Sequence, residues 1–130
     1  MNLWLPRVLI LIVTLWNLQA AFVFIFWPQV YAPGFMLSGL PGETAVRGVG
    51  VLFVMWNVPY LVALWQPRRY RLALQLALAM QLLGVLGESL IYLSVPADYA
   101  ILRASILRFS AFDAAGGLLL AGAYWLVRKE

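Results

Sequence analysis

The sequence predicts an all-α fold: an integral membrane, antiparallel four-helix bundle that takes up residues 1–130 as a single domain. Two observations carry that prediction. The composition is 65% hydrophobic and 11% charged, where a soluble domain averages about 45–50% apolar and about 25% charged. The charges are also clustered. No Asp, Glu, Lys or Arg falls between Val8 and Gly42, between Gly48 and Pro67, or between Leu72 and Gly87. Uncharged apolar runs of about 18 residues or more can cross a bilayer, so a water-soluble globular domain is excluded.

The first predicted span covers residues 3–27 and stops at Pro28. Arg7, the apolar run after it and the small Ala20 resemble a secretory signal with its cut site. The run continues through Phe22, Phe24, Phe26 and Trp27, well past a signal core of about 7–15 residues, so an uncleaved anchor is expected. Residues 28–43 contain Pro28, Pro33, Gly34, Gly39, Pro41 and Gly42, which no continuous helix tolerates. They are expected to form an interfacial loop at headgroup depth, with a lid buried over the bundle as the alternative. The second span, residues 44–66, starts with Thr44 as its N-cap. Pro59 inside it predicts a kink about one turn earlier, because the Met55 carbonyl lacks its amide partner. The third span covers residues 70–93 and is closed by Pro96; the fourth covers residues 102–127.

The charges between spans give an orientation. Arg7, Arg68, Arg69, Arg71, Arg128 and Lys129 fall at one end, with Glu130; Arg47 and Arg103 fall at the other, with Glu43 and Asp98. The positive-inside rule then puts both termini and the 66–71 loop in the cytoplasm, and a bacterial cytoplasmic membrane is the expected location. The net charge of +4 is accounted for by these span ends, so no nucleic-acid partner is expected. Cys and His are both absent. That removes disulfides, thiolate chemistry and Cys-ligated metals, together with the commonest general base and metal ligand. No metal and no resident cofactor are expected, though a bound lipid or quinone fits the apolar character.

Some charge cannot leave the predicted slab. Between Asp113 and Arg128 lie only fourteen uncharged residues, about 21 Å of helix at ~1.5 Å per residue, against a hydrocarbon core of about 30 Å. The fourth span therefore reaches back through Asp113 towards Arg108, and the same arithmetic puts Glu88 at the edge of the slab in the third. Counted from the span ends, Glu88 and Arg108 are both ~8–10 Å deep, Asp113 and Asn17 ~15 Å, and Asn57 ~18–20 Å, with Gln19 slightly shallower than Asn17. A charge at mid-membrane costs about 2.5–3.5 kcal/mol even on lenient insertion scales. Pairing is the expected remedy: Glu88 with Arg108 at matching depth, and Asp113 with Asn57, Asn17 or Arg47.

Asn17, Arg47, Asn57, Glu88, Arg108 and Asp113 thus form a candidate polar cluster with two readings. In one they are interhelical clasps, each modest in energy but specifying which faces meet. In the other they line an outward pocket for a ligand, proton or ion, since intramembrane ionisable residues mark functional sites by default. Gly84 and Gly87 in the third span, with Gly116, Gly117 and Gly122 in the fourth, are expected to mark the contact between those two spans. Trp56, Tyr60 and Trp65 exceed what one interfacial belt needs, so they either line a groove or pack. Ser89 beside Glu88 and Ser110 near Arg108 have no recognisable base, which leaves the catalytic signal weak.

The stretch Arg108-Phe109-Ser110-Ala111-Phe112-Asp113 is similar to the Arg/Tyr/Ser/Leu/Asp stretch opening the last span of the DoxX-like membrane proteins, with one residue more here. Arg47-Gly48-Val49-Gly50 and Gly87-Glu88 also resemble motifs of related four-span proteins. The resemblance implies a compact four-helix bundle acting as a subunit or partner of a redox- or quinone-linked complex. The expected function is accordingly a non-catalytic accessory subunit, packed against other transmembrane subunits or itself and surrounded by membrane lipids. The alternative is a binding or transport module for a small ligand, lipid or proton, built on the polar cluster.

Overall fold

A computed structural model describes residues 2–129. Among these the chain is all-helical: α1 (Trp4–Phe26), α2 (Gly39–Trp56), α3 (Val58–Trp65), α4 (Arg71–Ser94) and α5 (Ala100–Arg128). Two short 3-10 turns, Pro28–Val30 and Ala32–Phe35, join α1 to α2. With α2 and α3 taken as one broken helix, four helices are long and apolar enough to cross a membrane.

Helix pairs meet with opposite sequence directions. Arg7, Asn17 and Phe24 of α1 approach Trp65, Asn57 and Phe53 respectively. Along α4 and α5, Arg71 reaches Val127, Gln81 reaches Asp113 and Arg103 reaches Tyr92. Leu9 faces Gly122 and Val13 faces Gly116, so α1 and α5 are antiparallel as well. The termini and the 66–70 turn therefore share one end of the bundle; the 27–38 and 95–99 segments share the other.

Three helix C-termini are closed by arginines from neighbouring helices. Arg7 donates to Trp65 O at 2.9 Å, Arg71 to Val127 O at 3.4 Å, and Arg103 to Tyr92 O at 3.3 Å and also to Val95 O. The last carbonyls of a helix lack intrahelical donors and carry its partial negative charge, so a guanidinium there satisfies both needs.

The second helix differs from the expected one at its start. It begins at Gly39, five residues ahead of Thr44, and absorbs Pro41 in its first turn, where the missing N–H would have had no partner anyway. Gly39 has φ +67°, a conformation glycine adopts without strain. The Pro59 break falls at Asn57, two residues before the proline, and separates α2 from α3. The segment before α2 is not an open loop. Pro28 and Ala32 are buried, Tyr31 and Phe35 pack with Phe24, Val46 and Phe109, and Ser105 Oγ donates to Gly34 O at 2.7 Å. It packs as a lid across the loop end of the bundle.

Packing is uneven along the bundle. Towards the termini, Ile10, Val13, Tyr60, Ala63, Leu74, Ala77, Leu120, Ala123 and Val127 form a closed core. There α3 packs on α4, whereas α2, beyond the break, makes no substantial packing contact with α4.

Candidate polar groove between the helices

The space between α2 and the α4–α5 pair holds two adjoining chambers. The larger, about 590 Å³, lies at the level of the Asn57 break and is lined from every helix, by Asn17, Trp56, Asn57, Tyr60, Gln81 and Asp113 among others. The smaller, about 400 Å³, lies towards the loop end between α2 (Ala45, Val46, Val49) and α4–α5 (Val95, Leu102, Ile106) and is apolar except for Glu88. Phe53, Glu88, Ile91 and Phe109 belong to both. α2 leaves α4 unpacked here, and the four shared residues make the two chambers parts of one groove along that seam.

The floor of the groove is self-satisfied. Asn17 Nδ2 donates to Asn57 Oδ1 at 3.2 Å, and Asn57 Nδ2 donates to Phe53 O at 2.6 Å. Tyr60 donates its hydroxyl proton to Gln81 Oε1, and Gln81 Nε2 donates to Asp113 O at 3.1 Å and Oδ1 at 3.2 Å. These bonds tie all four spans together, and Asn57 and Gln81 are 2% and 4% exposed. Glycines make the geometry possible. A Cβ on Gly84 would sit 2.6 Å from Asp113 Oδ2, and one on Gly116 would collide with Gln81 Nε2.

The upper groove is different. Glu88 Oε2 and Trp56 Nε1 are buried with no hydrogen-bond partner. Arg108 is exposed at the groove's flank, its guanidinium 5.4 Å from the ring centroids of both Tyr31 and Phe109. The expected Glu88–Arg108 ion pair is not formed: the two line the same chamber, but Arg108 lies against ring faces and Glu88 stays single.

Five of the six expected cluster residues therefore meet in one chamber, and Gln19 lines it too. Arg47 does not. It is exposed on α2 and lines neither chamber, since the buried face of α2 runs through Gly42, Val46 and Gly50 and Arg47 stands off it. Asp113 takes Gln81 as its partner instead of Asn57, Asn17 or Arg47. Gly87, expected at the contact of the last two spans, faces open space in the groove, and Gly122 faces Leu9 of α1. Gln81 and the hydroxyl role of Tyr60 are the omissions from the sequence reading. A signal existed for Gln81: it stands seven residues before Glu88, two turns along the same helix face.

The lining offers hydrogen-bond donors, acceptors, one guanidinium and two carboxyl groups beside an apolar chamber. That combination suits an amphiphile, with a polar head at Glu88 and a hydrocarbon part towards Val49 and Ile106. Among the described residues no group of His, Cys, Asp and Glu is placed to hold a metal ion. Compared with family models, curated proteins and solved structures, the chain matches none.

Proposed function

We propose that the chain is a membrane-embedded binding module for an amphiphilic molecule, which reaches the groove sideways from the bilayer between α2 and α4. One observation carries this reading: the unpacked α2–α4 seam joins an apolar chamber to one with unsatisfied polar groups. Closed bundles place small residues at such seams. Here the seam lies open beyond the break at Asn57, and Glu88 Oε2 and Trp56 Nε1 beside it have no partner in the chain. The volumes suit a ligand of modest size, since small-molecule sites run to about 300–1,000 Å³.

The excess of basic residues at the terminal end supports an orientation with both termini in the cytoplasm of a bacterial-type inner membrane. The accessory-subunit role rests on the uncharged outer surface, which lipid satisfies equally well, and on the DoxX-like resemblance. Neither accounts for the groove.

Native mass spectrometry after gentle extraction from the source membrane tests the reading. A retained small molecule is expected on the native chain and not on Gly87→Leu, whose Cβ enters open space and whose side chain extends into the groove that Gly87 lines. A ligand-free chain bound to other transmembrane proteins would replace this function with the accessory one.

A further inference from the structure

The groove reading leaves the head group unassigned, and the charges around Glu88 assign it. Glu88 stands where the two chambers join, lining both together with Phe53 and Phe109, and its Oε2 has no partner. One turn earlier on α4, Gly84 gives way to Asp113, so a second carboxyl group lies directly beneath. Against these two acids the chamber presents one cation, Arg108, and that guanidinium already rests over Tyr31 and Phe109. Ring faces attract cations, and further ring-bearing side chains, Trp16, Trp56 and Phe112, complete the walls.

Building on the amphiphile reading, we infer that the groove takes a positively charged nitrogen as head group, an alkylammonium seated at Glu88 among the rings of Phe53 and Phe109, with its chain in the apolar chamber. An anion of the same length meets two carboxyl groups for one guanidinium that is already placed. A neutral alcohol leaves Glu88 without an opposite charge. An ammonium answers Glu88 and uses the ring faces as well.

The test uses the whole chain in lipid nanodiscs, titrated calorimetrically with n-octylammonium, octanoate and octanol, with empty nanodiscs subtracted. Octylammonium is expected to bind saturably and roughly tenfold or more tighter than the other two, and Glu88→Gln to weaken it by about tenfold or more, as loss of a charged hydrogen bond does. Glu88→Asp keeps the charge and retains part of the affinity, which a merely structural Glu88 would not predict. Equal affinity for the three probes, or an unchanged titration in Glu88→Gln, overturns the ammonium head group and leaves the amphiphile reading standing. Saturable binding of none overturns both. Should Glu88→Gln fail to fold, the ranking of the three probes on the native chain decides.

Discussion

The two ends of this bundle solve the same problem in opposite ways. Towards the termini, polar side chains inside an apolar bundle bond to one another: Tyr60 to Gln81, Gln81 to Asp113, Asn17 to Asn57. Small residues let the helices close around them, with Ala63, Ala77 and Ala123 fully buried. Towards the loop end, α2 parts from α4 at Asn57, aromatic rings gather around Phe24, and Glu88 and Trp56 keep polar atoms without partners. A buried polar atom left unsatisfied costs about 1–3 kcal/mol. The closed half pairs its polar groups with one another and the open half leaves two polar atoms unpaired, so the polar cluster divides into two parts that differ in how they are satisfied.

That division is most directly tested with one substitution made in both halves. Gly116→Leu pushes a side chain into Gln81 and Val13, and overpacking of this kind costs about 1–3 kcal/mol or more. With the Gln81–Asp113 bonds lost too, about 3 kcal/mol is expected from unfolding in mixed micelles. Gly87→Leu, whose Cβ would meet nothing within 4 Å, is expected to change stability by less than about 0.5 kcal/mol. Equal costs at the two glycines would erase the distinction between the halves.

Gln81→Leu comes next. It strips Tyr60 of its acceptor and Asp113 of its donor, and should lower stability by about 1–2 kcal/mol. Smaller again is Ser105→Ala, which unties the lid from α5 at Gly34. About 0.5–1 kcal/mol is expected, together with faster amide exchange over residues 28–37 than over α1. If exchange there stays unchanged, the aromatic packing alone holds the lid.

The helices were legible because a stretch long and apolar enough to cross a membrane shows itself in composition and length alone. Four apolar stretches, Pro28 and Pro96 as stops, and Pro59 as a break needed no tertiary information. The start of α2 was not legible in the same way, since Pro41 reads as a breaker unless it is already known to fall in a first turn. Depth counting put Asn17, Asn57, Glu88, Arg108 and Asp113 roughly 8–20 Å below the span ends, in the outer and middle part of the bundle, and they do share a chamber. It gave no angular information about neighbouring helices. Arg47 was therefore drawn in although it points away, and Gln81 was passed over because an uncharged amide raises no alarm in charge bookkeeping. The groove itself depends on how far α2 swings from α4, which no local pattern encodes.

The smallest expected effect discriminates best. If Glu88 were clasped to Arg108, neutralising either would destabilise the bundle by breaking a buried pair, and neutralising both would restore part of the loss. The structure gives Glu88 no partner and sets Arg108 on two rings. Glu88→Gln should therefore leave the unfolding midpoint unchanged within about 0.5 kcal/mol, or raise it, because an amide costs less to bury than a carboxylate. The double variant with Arg108→Gln should show no recovery, since nothing coupled has been removed. A coupling energy above about 1 kcal/mol in that cycle would mean that the pair forms and that the open half is a second clasp. A flat cycle alongside a costly Gln81→Leu would leave Glu88 as a side chain retained at the seam for something other than stability.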